Sequence, residues 1–281
     1  MISLLLILLL PVNARPKIAG SILRSYVPQN DLKFVETEEF GEVSYIEYNQ
    51  KNKNVVIFLH GSRFSADTWD TTGILKRIHN HGYRSIAINL PITLHIEQRG
   101  TFLFDVVNNI VDDPKSRIVV VAASVGATFA TPYVMGERRV VGYVSVGGIL
   151  VEKRGSKNNV PLLMIYGEND RLLRSDPVKY REMFRDTRLR VIENEGHACY
   201  IKPESSRIFT SYLLDFLSSR AQWDKNIAPS SFKFQKRGTS PTTESEITPL
   251  YLFFFASCVT IGLFLWRKYS KRFKLNKSNY Q

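Results

Sequence analysis

The sequence predicts an α/β architecture: a mostly parallel sheet flanked by helices, with no cap domain. Three observations carry this. Short, nearly continuous apolar runs recur between residues 34 and 219, and strands that read this way are buried on both faces, as in a parallel sheet. Stretches of helical periodicity separate them, so the chain repeats β-α units that wind a sheet with helices on both sides. The residues suited to chemistry fall just after apolar runs, where such sheets place their ligands.

In chain order, residues 42–48 (EVSYIEY) alternate and form an outer strand. Residues 55–59 (VVIFL), 85–89 (SIAIN), 118–122 (IVVVA), 140–146 (VVGYVSV) and 162–166 (LLMIY) are the buried strands, and 189–192 is the last. Helices are expected over 69–79, 102–111, 127–135, 177–184 and 203–217. The polar connection 148–160 is too brief to hold a cap, which leaves any site on this face open.

The chain has 281 residues, 44% hydrophobic and 23% charged, which excludes a wholly disordered or collagen-like protein. Two cysteines, Cys199 and Cys258, make neither a disulfide framework nor a cysteine-rich zinc site. The formal charge of +12 suggests nucleic acid, yet half of the excess sits in the tail 267–281, on Arg267, Lys268, Lys271, Arg272, Lys274 and Lys277. The remainder has no arginine-rich helix, so no nucleic-acid partner is expected.

The ends of the chain suggest an anchored protein. Residues 1–14 carry a leucine-rich run ending in Pro11 and Val12-Asn13-Ala14, the pattern of a signal peptide. Residues 222–249 are rich in Ser, Thr and Pro and suit a stalk. The uncharged stretch that begins at Leu250 and ends at Trp266 approaches the ~20 residues that span a bilayer. With the basic tail cytosolic, the domain 33–221 would be lumenal or extracellular.

Ser124 stands in Ala122-Ala123-Ser124-Val125-Gly126, directly after a buried strand and before a helix. Small residues two before and two after a serine are the steric need of a nucleophile elbow, whose strained turn lifts the hydroxyl clear of the sheet. The turn also sets the Val125 N–H at a helix start, where it can donate to an oxyanion. A second candidate, Ser145 in Ser145-Val146-Gly147, has Tyr143 two before it and no helix after it, and reads as a strand serine.

A serine nucleophile needs a base, and the base an orienting acid. His197 follows the last strand and Asp170 follows the strand ending in Tyr166-Gly167. The order Ser124, Asp170, His197 is that of α/β-hydrolase triads. Glu168 competes with Asp170 by position. His60-Gly61 ends another strand, placing the Ser62 N–H as second oxyanion donor, with His60 a structural loop residue. His79, His81 and His95 lack metal-ligand spacing, and neither a metal nor a cofactor is called for. Cys199 reads as a packing cysteine. Arg171, Arg174, Arg181, Arg185, Arg188 and Arg190 form either a solvated basic face or a surface for anions.

Two segments carry a resemblance. Leu59-His60-Gly61-Ser62-Arg63-Phe64-Ser65 with Thr68-Trp69, and Gly196-His197-Ala198-Cys199-Tyr200 with Lys202-Pro203-Glu204, resemble the α/β-hydrolase-domain-containing protein 14 family across about residues 34–217. The resemblance implies the α/β-hydrolase fold, a serine hydrolase or acyl transferase, and Ser124, Asp170 and His197 as triad. Family members are linked to ester hydrolysis, and one branch to moving acetyl groups from lysine to coenzyme A. The chain departs from the family twice. Its elbow has Ala122, Ala123 and Gly126 where the family has serine, proline and serine, and a glycine-rich loop is replaced by Asn89-Leu90-Pro91-Ile92-Thr93-Leu94-His95. The expected function is a membrane-anchored serine hydrolase acting on a small ester or acylated substrate through an acyl-enzyme. The alternatives are a non-catalytic membrane-tethered binding module on the same fold, and an acyltransferase that passes the acyl group to a thiol.

Overall fold

The computed structural model describes residues 32–48, 51–149, 151, 157–171, 176–219, 221 and 223. Its elements run β1 (Leu32–Thr37), β2 (Gly41–Tyr48), β3 (Asn54–Leu59), α1 (Ala66–Thr71), α2 (Ile74–Asn80), β4 (Arg84–Ile88), α3 (Ile96–Ile110), β5 (Arg117–Ala123), α4 (Ala127–Gly136), β6 (Val140–Val146), β7 (Leu162–Gly167), α5 (Asp176–Met183), β8 (Thr187–Ile192) and α6 (Pro203–Ser219). The strands form one sheet in the order β1-β2-β4-β3-β5-β6-β7-β8. β1 and β2 pair antiparallel, β2 joins β4 antiparallel, and every pairing from β4 to β8 is parallel.

Alternation along each central strand sorts the helices onto two faces. Ile118, Val120 and Ala122 of β5 pack with Leu103, Val107, Phe129 and Tyr133, under α3 and α4. Val119, Val121 and Ala123 face the other way, toward Trp69, Leu75, Phe209 and Leu213 of α1, α2 and α6. Both sets are fully or almost fully buried, each large side chain contributing roughly 1.5–3 kcal/mol. This two-sided burial is what the uninterrupted apolar runs reported.

Three elements differ from expectation. β1 was not expected as a strand, because LKFVET lies at the sheet edge with most residues only partly covered, so its pattern is weak. The helix expected over 69–79 is two helices: Gly73 adopts φ +71°, a left-handed conformation that suits glycine, and breaks the chain between α1 and α2. α3 begins at Ile96 rather than 102, since its first turn is largely solvent-facing and lacks apolar periodicity.

The membrane-anchored placement is corrected. Among the described residues no helix is long and apolar enough to cross a membrane. The longest, α6, has 17 residues and carries Glu204, Arg207 and Asp215. The segments expected as signal peptide (1–14), span (250–266) and cytosolic tail (267–281) lie outside the described residues, as does all of the expected stalk (222–249) but Trp223.

At the end of the sheet where the parallel strands begin, two buried arginines satisfy the last carbonyls of α3. Arg84 donates Nη2 to the Ile110 carbonyl at 2.8 Å, and Arg139 donates Nη1 to that of Val111 at 2.6 Å. Each is balanced by a buried acid: Glu47 lies 2.6 Å from Arg84 and Glu137 3.1 Å from Arg139. Glu47 also accepts from Lys33 at 2.8 Å, tying β1 and β2 to β4. Replacing Glu47 by Ala leaves the Arg84 charge buried and unpaired, and should lower the unfolding free energy by about 3–5 kcal/mol. Urea denaturation checks this, and Glu47→Gln should lose less.

Candidate active site

β5 ends at Ala123, and the chain turns at Ser124 with φ +49° through one 3₁₀ turn, Ser124–Gly126, into α4. A non-glycine residue in that region costs roughly 1–2 kcal/mol, so the turn stores strain at a partly exposed serine, with buried Ala122, Ala123 and Gly126 around it. The reason for the small residue two after the serine is visible. A Cβ on Gly126 would sit 2.9 Å from the carbonyl oxygens of both Leu59 and His60, so only glycine lets α4 start this close to the end of β3. On the other side, a Cβ on Gly61 would lie 3.4 Å from the Ser124 Cβ. Ser62 and Val125 therefore belong to the two backbone segments that meet at the serine.

His60 is part of this scaffold. Its Nδ1 donates to the Gly61 carbonyl at 2.8 Å and its Nε2 accepts from the Leu90 N–H at 2.9 Å. That pattern requires the neutral ring, and burial lowers the pKa of the imidazole below its ordinary value.

Asp170 and His197 are brought together: the Nδ1 of His197 donates to Oδ2 of Asp170 at 2.8 Å. The carboxylate side chain is 1% exposed and the imidazole 33%, so the pair has a buried acid end and an open ring. The bond fixes the proton on Nδ1 and leaves Nε2 as the basic nitrogen. Glu168 does a different job, accepting from the N–H of Asn194 at 3.0 Å where that residue takes φ +58°. Gly167 makes the approach possible, because a Cβ there would strike the carbonyls of Glu195 and Gly196.

The chain after β6 links the two halves. A Cβ on Gly147, which has φ +50°, would lie 3.1 Å from Asp170 Oδ2 and from His197 Nδ1 and Cε1. Two residues on, the Ile149 N–H donates to the Ser124 carbonyl at 3.0 Å. Sequence reasoning set aside Ser145-Val146-Gly147 as a false elbow and missed Gly147; its only signal was a Gly-Gly pair at a strand end. Ser145 is buried in β6, and its hydroxyl donates to Tyr180 Oη at 3.1 Å.

A stack of aromatic rings joins the two motif segments. Trp69 and Tyr200 are parallel at 4.3 Å, with Phe64 against Tyr200 and Phe209 against both Trp69 and Tyr200. The strand-end loop carrying Ser62 and the loop carrying His197 are thereby packed as one body. Cys199, two residues after His197, is fully buried, and burial pushes its thiol up to about 12, so it is no nucleophile at neutral pH.

The remaining candidates do not join the site. His81 bonds the Arg77 carbonyl at 2.8 Å, His95 precedes α3, and His79 packs on Tyr48. Among the described residues no group of His, Cys, Asp and Glu could hold a metal ion. Arg171, Arg181, Arg185 and Arg190 are solvent-exposed, and Arg174 lies outside the described residues. A groove of about 680 Å³ between α2 and α6, lined by Arg77, Tyr83, Arg207 and Leu214 among others, contains none of the site residues.

The sequence pattern of the alpha/beta hydrolase family matches residues 55–202. The chain is 31% identical over 183 residues to the putative protein-lysine deacylase ABHD14B of Rattus norvegicus, covering 59% of this chain and 84% of that protein. It is 30% identical over 179 residues to the Homo sapiens ABHD14B, at 58% and 82% coverage. The Rattus norvegicus protein ABHD14A is 26% identical over 182 residues, at 60% and 74% coverage. Among solved structures, the esterase RhEst1 from Rhodococcus sp. ECU1013 has a TM-score of 0.57 at 14% identity, covering 68% of this chain and 99% of its own. The esterase EaEST from Exiguobacterium antarcticum has a TM-score of 0.53 at 14% identity, with 66% and 99% coverage. At these identities the two structures share the fold.

Gly147→Ala should open the Asp170–His197 bond, since its Cβ meets both partners and its φ is strained. Loss of the downfield Nδ1–H resonance of His197 in proton NMR is the expected result. His60 adds a pH dependence. Its folded pKa lies below the ordinary 6.5, so as pH falls through that value the unfolded chain takes up a proton that the folded one refuses. Stability should therefore decline on acidification from about pH 6.5, and denaturation midpoints across pH 5–7 should fall less steeply in His60→Gln.

Proposed function

The chain belongs to the α/β-hydrolase family and, within it, to the group of ABHD14 proteins, and from that premise we propose that it is a serine hydrolase cleaving ester or acyl groups through Ser124, His197 and Asp170. The observation that carries the reading is the 2.8 Å bond from His197 Nδ1 to a buried Asp170, at the same end of the sheet as a serine in a strained turn.

In the proposed cycle His197 Nε2 takes the proton of Ser124 as its oxygen attacks the acyl carbonyl. Asp170 holds the ring in the required tautomer and stabilises the imidazolium that forms. The N–H groups of Ser62 and Val125 receive the oxyanion, each worth about 10²–10³ in rate. The tetrahedral intermediate collapses as His197 returns the proton to the leaving group. Water, activated by the same imidazole, then releases the acid and restores the serine.

The proposed substrate class is supported by a short connection and by the partly exposed His197 imidazole. The connection between β6 and β7 spans only residues 147–161, too little for a cap domain, which suits a small ester or an acyl group carried on a larger molecule. A relative is named a putative protein-lysine deacylase, and an acylated lysine on a protein surface meets the same requirement. No nucleic-acid partner and no cofactor enter the reading.

The test is a fluorophosphonate probe on the purified chain. Wild type should be labelled and Ser124→Ala should not, while Asp170→Asn should slow labelling by about 10³–10⁴. A folded wild type that stays unlabelled would favour a non-catalytic binding module on the same fold.

A further inference from the structure

The loop of residues 89–95, between β4 and α3, is held from outside. Arg99, near the start of α3, donates Nη2 to the Ile92 carbonyl at 2.9 Å and Nε to the Leu94 carbonyl at 3.0 Å. Its third nitrogen, Nη1, donates to Thr128 Oγ1 at 2.6 Å. That hydroxyl passes its own hydrogen to the carbonyl of Val125, also at 2.6 Å. The guanidinium lies 5.0 Å from the centre of the Phe129 ring, and Thr128 is almost fully buried. At its other end the loop is fastened by the Leu90 N–H on His60.

One cation thus spans from the loop after β4 to the residue directly after Ser124. We propose that Arg99 is a positioning residue for the hydrolase reaction: through Thr128 it fixes the Val125 backbone whose N–H serves the oxyanion, and through Ile92 and Leu94 it holds the neighbouring loop in one path. The inference rests on the serine-hydrolase reading above. The chemistry favours arginine for a geometric reason. A planar fork reaches three acceptors at once, whereas a lysine ammonium on a single flexible stem does not. The Val125 N–H shares its peptide plane with the Ser124 carbonyl, which the Ile149 N–H holds at 3.0 Å, and the Thr128 bond to the Val125 carbonyl holds the next plane. With both planes fixed, the Val125 N–H is restricted to one direction. Preorganisation of that kind is what an oxyanion donor requires.

The test uses the full purified chain and compares wild type with Arg99→Ala, Arg99→Lys, Thr128→Val and the Arg99→Ala/Thr128→Val pair. Arg99→Ala should slow fluorophosphonate labelling of Ser124 by about 10- to 100-fold. The plateau of the pH–rate profile should fall while its midpoint stays, because His197 and Asp170 keep their bond. Thr128→Val should slow labelling by a similar factor, the double variant should be no slower than the worse single one, and Arg99→Lys should not recover the rate. Amide hydrogen exchange should rise over residues 89–95 and 124–128 in Arg99→Ala. Labelling at the wild-type rate would overturn the proposal. So would a loss that tracks the unfolded fraction in thermal melts, or effects of the two substitutions that simply add. A wild type that never labels sinks the hydrolase reading instead. Exchange then still decides whether Arg99 holds the turn: faster exchange over 124–128 supports it and unchanged exchange overturns it.

Discussion

The site depends on how closely two backbones approach. α4 begins against the carbonyls of Leu59 and His60, at a distance that no side chain on residue 126 would permit. That contact sets the elbow after β5 beside the loop after β3, and so presses Ser124 and Ser62 into one place. It also forces Ser124 out of the ordinary backbone regions, to φ +49°. The strain persists because the neighbouring strands are buried on both faces and cannot relax away from it.

Around this contact the molecule repeats one device, the use of glycine where loops must touch. Gly167 lets the backbone at Glu195 and Gly196 lie on the end of β7, and Gly147 leaves room for Asp170 and His197 to meet. The buried, stacked rings of Trp69 in α1 and Tyr200 then tie the loop carrying His197 to the core. Aromatic packing and missing side chains together hold a hydrogen-bonded pair whose acid is sealed from water and whose imidazole is not.

The polar groups that stabilise the domain lie apart from this chemistry. Glu47 with Arg84 and Glu137 with Arg139 balance one another at the opposite end of the sheet, where they also absorb the free carbonyls of α3. Buried charge serves folding at one end, and strained backbone with one acid–imidazole pair stands at the other. Arg99 is the exception, a cation at the site end whose hydrogen bonds all go to other parts of the protein.

Much of this was legible along the chain. The runs VVIFL, IVVVA and LLMIY announced a parallel sheet, because burial on both faces removes the polar alternation that marks other strands. Small residues around Ser124, and Asp170 and His197 after later strands, marked the candidate site in chain order. What periodicity did not reveal were elements with weak apolar pattern: the edge strand β1, the break at Gly73, and the polar first turn of α3. The membrane placement read from the ends has no counterpart among the described helices. Local composition by itself determined which segments are the buried strands and where a serine can be lifted from the sheet. Only the tertiary structure decided that Asp170 rather than Glu168 meets His197, that Gly147 makes room for them, and that Arg99 reaches Thr128. Each is a contact between residues distant in sequence, fixed by how the strands and helices pack and by no pattern within a single segment.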